Sequence, residues 1–165
     1  MSGIAEVGQR AAGPESEDSL EQFLLFRAGS ERFAIPLTAC DEVHEWPGVE
    51  RVPGMSRDAL GVFQHRGRLL SVYTPERMLG AGGGCAMDES VVLVLRAGGK
   101  RFGLALDDVD EVIAVDMNDL RRPATREAAD GLLLGVVWHG RELVAVLDVE
   151  ALAAACMNTP AGENR

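Results

Sequence analysis

Aromatic residues are scarce in this chain: five phenylalanines, two tryptophans and one tyrosine supply 5% of its 165 residues. Its core must therefore come from Val, Leu, Ile and Ala. With 47% hydrophobic and 25% charged residues, there is ordinary material for about one globular domain. Cysteine is scarcer still. Cys40, Cys85 and Cys156 are odd in number, far apart and in no Cys-x-x-Cys spacing. That supports neither a disulfide framework nor a zinc site, and it points to a reducing compartment. Positive charge is also short, with 16 Lys and Arg against 26 Asp and Glu and a net charge of -10. Such a balance argues against nucleic acid and anionic lipid as partners and suits a well-solvated domain. No stretch approaches the roughly eighteen consecutive apolar residues of a membrane span. Nor does the start combine a basic segment with an apolar run, so no signal peptide or membrane insertion is expected and the expected location is cytoplasmic.

Catalytic chemistry is missing as well. No nucleophile motif, phosphate loop or metal-ligand cluster is legible, and the run Gly82 to Gly84 leads into Cys85-Ala86-Met87-Asp88 rather than Lys-Ser/Thr. It reads as a flexible linker. His44, His65 and His139 fall in different turns with no Asp or Glu at ligand spacing, and read as surface or turn histidines rather than a metal trio. Trp46 and Trp138 read as cap or core residues rather than as a stacking platform for a ligand. The expectation is a protein without enzymatic activity, cofactor or metal.

What the chain does contain is a repeat. At an offset of 69 positions, Arg27-Ala28-Gly29-x-x-Arg32-Phe33 recurs as Arg96-Ala97-Gly98-x-x-Arg101-Phe102, and Leu37 with Asp41-Glu42-Val43 recurs as Leu106 with Asp110-Glu111-Val112. In each copy two apolar runs flank a Gly turn, the pattern of a β-hairpin. A duplicated hairpin implies two similar half-domains.

Residues 1–20, with Glu15, Glu17 and Asp18 crowding after Pro14, cannot repay the entropy of ordering and are expected to form a disordered acidic tail. Pro47-Gly48 marks a turn, and Val49 to Pro53 reads as a short extended piece. Leu60 to His65 and Leu69 to Tyr73 form a second hairpin around Arg66-Gly67-Arg68, where Gly67 can take the positive φ of a tight turn. Thr74-Pro75-Glu76 has the chemistry of a helix start. The second half repeats this order: Leu134 to Trp138 and Glu142 to Leu147 flank His139-Gly140-Arg141, and Asp148 caps a helix from Val149 to Cys156. The reading is one domain over 21–157, with a first half at about 21–80, a Gly-rich linker at 81–90, a second half at 91–157 and a frayed tail at 158–165. Each half shows about five short strands, and each is expected to close as its own small barrel with Phe33 and Phe102 inside at equivalent positions.

Two polar residues stand out. Arg66 precedes a turn glycine, where a long charged side chain is ordinarily just solvated, and Glu42 is duplicated as Glu111. An ion pair between Arg66 and Glu42 across a groove would contribute little to stability if exposed, yet could fix a binding surface.

The ordered series Phe26-x-x-Gly29-x-x-Arg32-Phe33-Ala34-Ile35-Pro36, Asp41-Glu42-Val43, Arg51-Val52-Pro53-Gly54, Leu60-Gly61-Val62 and Arg66-Gly67-Arg68 with Val72 resembles the CheW-like domain family, the adaptor fold of bacterial chemotaxis. Phe102 to Val112 and Val144 to Leu152 continue the resemblance, which covers about 20–157. It implies a mostly β fold, two pseudo-repeated five-stranded SH3-like β-barrels with short helices around a shared core. It also implies a scaffold that couples the cytoplasmic signalling tip of a chemoreceptor to the regulatory domain of a CheA-type histidine kinase. Carried over by position, Cys40, Glu42, Gly61, Arg66 and Gly67 would line the receptor groove, and Val49, Arg51 and Val52 would belong to the kinase-facing surface. The chain departs from the family pattern at Gln64-His65, where Asn-Leu is usual, and at Ser71 to Pro75, where Pro-Val-x-Asp-Leu is usual. That favours a divergent adaptor of a chemotaxis or alternative chemosensory or motility pathway. The alternatives are an interaction module outside chemotaxis, such as a localisation or assembly factor, and a small β-barrel ligand-binding protein.

Overall fold

The run Val91 to Leu95 lacks polar alternation because both faces of its strand are covered: Val92 and Val94 pack on one side, Leu93 and Leu95 on the other, all four fully buried. The computed structural model describes residues 19–55, 59–75, 89–122 and 131–157. Among these, the strands are β1 (Leu20–Ala28), β2 (Glu31–Pro36), β3 (Cys40–Glu45), β4 (Ala59–His65), β5 (Arg68–Tyr73), β6 (Val91–Ala97), β7 (Lys100–Leu106), β8 (Asp108–Asp116), β9 (Leu133–His139) and β10 (Glu142–Leu147), and the helix α1 spans Val149–Met157. Ser19 donates to Asp116 at 2.8 Å and Leu20 opens β1, while the rest of the expected tail lies outside the described residues. The short helix expected after Thr74 and the Gly-rich linker lie essentially outside the described residues.

The strands form two five-stranded sheets in the orders β8-β1-β2-β10-β9 and β3-β6-β7-β5-β4. The expectation that each half closes on its own strands is therefore corrected. The duplicated hairpins have changed places: β1-β2 of the first half sits with β8, β9 and β10 of the second, and β6-β7 sits with β3, β4 and β5. Each exchange is sealed by a parallel pairing, Val146 opposite Ala34 in one sheet and Val72 opposite Gly103 in the other. Charge follows the same exchange. Arg32 reaches Asp110 at 3.4 Å and Arg101 reaches Asp41 at 3.0 Å, so the repeated Arg and Asp pair between copies rather than within them.

Each sheet encloses apolar side chains of its own, Phe23, Leu25, Val144 and Val146 in one and Phe63, Val72, Val92 and Val94 in the other. Between the sheets a larger cluster gathers Phe26, Phe33, Leu93, Leu95, Phe102 and Leu104 with Leu152 of α1. Phe33 and Phe102 are buried at equivalent places, as the repeat predicts. Asp148 caps α1, its carboxylate accepting from the amides of Glu150 and Ala151 at 3.1 and 3.2 Å. Among the described residues no helix is long and apolar enough to cross a membrane.

Candidate functional site

Strand β3 alternates, so Glu42 and His44 share one face. The β4-β5 hairpin turns on two residues of positive φ, Arg66 at 55° and Gly67 at 80°, the geometry that a two-residue hairpin loop demands. That turn directs Arg66 back towards β3. Its guanidinium donates to Oε1 of Glu42 at 3.2 Å, and the ion pair expected from the sequence is formed.

The carboxylate gathers more than was expected. His44 bonds Oε2 through Nε2 at 3.1 Å, and Nε2 of His65 bonds the same oxygen. His65, His44 and Arg66 together pull the Glu42 carboxyl from its ordinary 4.5 down to about 2. Reading these histidines as turn residues is thus corrected: all three lie on strands, His44 and His65 meet at one carboxylate, and His65 is 5% exposed. His139 stands apart on β9, 3.4 Å from Glu111. Trp138 is also corrected, since it is 67% exposed rather than packed in a core, while Trp46 does pack against the Phe63 cluster.

Gly61 holds a second part of the surface in place. A Cβ there would meet the Glu50 carbonyl oxygen and Cγ2 of Val49, both at 2.9 Å. The bare backbone lets Glu50 pair with Val62 through bonds of 3.0 and 2.8 Å. This lays Val49 to Val52 along β4, where Val49 packs on the core and Val52 is exposed. Arg51 ties the segment down further, donating to the Ala59 carbonyl at 2.6 Å. Cys40 lies outside the Glu42 cluster, its thiol turned to the Pro36 carbonyl at 3.6 Å. Burial, with Asp41 adding to it, pushes that thiol up to about 11.

The Arg66 turn forms one wall of an open cleft of about 700 Å³ whose lining includes Arg66, Arg68, Arg96, Lys100 and Arg101. Five cations around one cleft stand out in a chain of net charge -10. Arg96 and Arg101 are held by Asp41 at 3.6 and 3.0 Å, whereas Arg66 leans over Glu42 with two thirds of its side chain exposed. Such a surface attracts an acidic partner. Sequence reasoning found Arg66 and Glu42 but missed the cleft, because Arg96 to Arg101 reach it through the exchanged hairpin.

The family model of the CheW-like domain matches residues 22–156. The chain is 29% identical over 147 residues to a chemotaxis protein CheW of Helicobacter pylori, covering 87% of this chain and 89% of that one. It is 28% identical over 159 residues to a chemotaxis protein CheW of Klebsiella aerogenes, covering 94% and 92%. The crystal structure of scaffolding protein TtCheW from Thermoanaerobacter tengcongensis superposes with a TM-score of 0.70 at 19% identity, covering 78% of this chain and 88% of the other.

Proposed function

The chain belongs to the CheW-like domain family, and from that premise we propose that it is a non-enzymatic adaptor coupling a chemoreceptor signalling tip to a CheA-type histidine kinase. The observation that carries the proposal is the Arg66 to Glu42 pair on the rim of a cationic cleft. An exposed guanidinium held by a single carboxylate is oriented without being used up, so a partner carboxylate can share it. The segment of Val49, Arg51 and Val52 offers a separate, mixed apolar and basic surface for the kinase regulatory domain. Two partners would then meet different parts of one rigid scaffold. Membership of receptor assemblies would place the protein at the cytoplasmic side of the membrane through its partners.

The test is a reconstitution of the chain with a kinase regulatory domain and a receptor signalling tip, followed by size-exclusion chromatography. A ternary complex is expected, with Arg66→Ala losing the receptor while keeping the kinase, and Val52→Glu doing the reverse. Failure to bind either partner overturns the coupling role and leaves an interaction module working outside chemotaxis. Binding of both partners by both variants overturns the site assignment alone.

A further inference from the structure

We propose that Glu42, His44 and His65 form a binding site for a divalent transition-metal cation of the zinc class. This goes beyond the adaptor reading and does not depend on it. The candidate ligand atoms all lie within 4.8 Å of one another. The two imidazoles stand edge to face, 5.0 Å between centroids and 89° between planes, and both direct Nε2 at the same carboxylate oxygen. Two imidazole nitrogens and one carboxylate oxygen, with a fourth position open, make a donor set that zinc takes readily. Bonds of about 2.0–2.1 Å require donors roughly 3.3 Å apart, so these donors, already within 4.8 Å of one another, would have to adjust their spacing around the ion.

The surroundings fit as well. The His65 side chain is 4% exposed and so is pre-oriented, while that of His44 is 36% exposed and gives the ion an access path and room for a water. Arg66 occupies Oε1 and leaves Oε2 to the metal, the outer hydrogen bond that ligating carboxylates commonly keep. Arg66 and Arg68 oppose a cation locally, and the net charge of -10 favours one overall. The site also has a structural place. Strands β3 and β4 are the two ends of the order β3-β6-β7-β5-β4, so an ion held by Glu42 and His44 on one and His65 on the other would clip the open seam of that sheet. The repeat supplies a control. Glu111 and His139 face each other at 3.4 Å, but Ile113 stands at the position of His44 and is buried, leaving two ligands instead of three.

The experiment uses the full chain without an affinity tag, stripped with a chelator and titrated with zinc chloride against a chromophoric competitor. Melting and zinc X-ray absorption are recorded on the same samples. The expected result is one equivalent bound, a raised melting temperature and a first shell of nitrogen and oxygen. His44→Ala and Glu42→Gln should each weaken binding by at least the ~10–100-fold that loss of an outer-shell partner costs, and His139→Ala should bind as the parent does. His65→Gln risks unfolding, so the decision rests on the partly exposed His44 and Glu42, with the metal-free melts confirming that those variants fold. Absence of binding, parent-like affinity in both variants, or sulfur in the zinc shell overturns the proposal.

Discussion

Removing the Arg66 side chain separates a folding role from a recognition role, because the two predict effects of different size. In the free protein the guanidinium is 68% exposed and makes one ion pair among the described residues, at 3.2 Å to Glu42. An exposed pair of this kind contributes about 0.2–1 kcal/mol. Alanine keeps the left-handed backbone at φ 55°, so the strain of that conformation is the same before and after. Arg66→Ala should therefore lower stability by no more than about 1 kcal/mol, a melting shift of about 2–4 °C for a chain of this size. Arg66→Gly should fall closer to the parent, since glycine relieves a left-handed cost of roughly 1–2 kcal/mol and returns part of it through a freer unfolded chain. Binding responds differently. If a partner carboxylate closes over Arg66, truncation leaves that charge buried and unpaired, at about 2–5 kcal/mol, or roughly 30-fold to several thousand-fold in Kd. Calorimetric melts and titration against a receptor signalling tip on the same samples measure both quantities, with Arg68→Ala as the neighbouring charge control. Unfolding of Arg66→Ala, or parent-like binding by both Arg66 variants, refutes the reasoning.

Asp148→Ala should cost about 0.5–2 kcal/mol by stripping the cap from Glu150 and Ala151, whereas Asp148→Asn should be close to neutral; equal losses in urea melts would sink the capping account. Gly61→Ala should cost about 1–3 kcal/mol, because its new methyl lands 2.9 Å from the Glu50 carbonyl oxygen and from Val49, and hydrogen exchange at Glu50 and Val62 should speed up with it. The Glu42 carboxyl is depressed from 4.5 to about 2, so its contribution to stability is present in full above pH 4.5 and is lost as pH falls towards 2; in chelator-treated samples Glu42→Gln should abolish that part of the acid dependence. Neither 19–88 nor 89–157 expressed alone should give a cooperative melt, because each sheet borrows a hairpin from the other half, and mixing the two fragments should restore one.

Hairpins were the most legible part of the fold. Their apolar runs and turn residues are adjacent in the chain, so local pattern suffices to mark β1-β2, β4-β5, β6-β7 and β9-β10. The exchange of hairpins was not legible, since the apolar faces of β1-β2 can be satisfied by either set of three remaining strands. Nothing in Arg32 or Asp110 announces which copy its partner comes from. Of the site, Glu42 and Arg66 were readable from the repeat and the turn, and Glu42-x-His44 carried the same-face signal of a strand that reading His44 as a turn residue discarded. His65 lies twenty-three residues from Glu42 in sequence and comes to it only when the two ends of a sheet curl towards each other. Trp138 was misjudged for a local reason: β9 alternates with Val137 inward, which sends Trp138 outward opposite Leu143.

The duplication also explains why a single surface stands out. The two copies share a scaffold in detail. Gly61 and Gly135 each admit a passing backbone, bridging Glu50 to Val62 and Arg121 to Val136, and each copy sets a histidine at the end of that strand against a repeated glutamate. The passing backbone belongs to the fold, because both copies need it to build the same sheet. Two differences bear on the site. Where the first copy has His44 and Arg66, the second has Ile113 and Gly140, so among the described residues Glu111 keeps one ion-pair partner, His139, and remains 62% exposed. A glycine that both copies keep is explained by packing, and a polar side chain that only one copy has asks for another explanation. By that comparison the unexplained polar groups collect around Glu42, on the face where the cationic cleft opens.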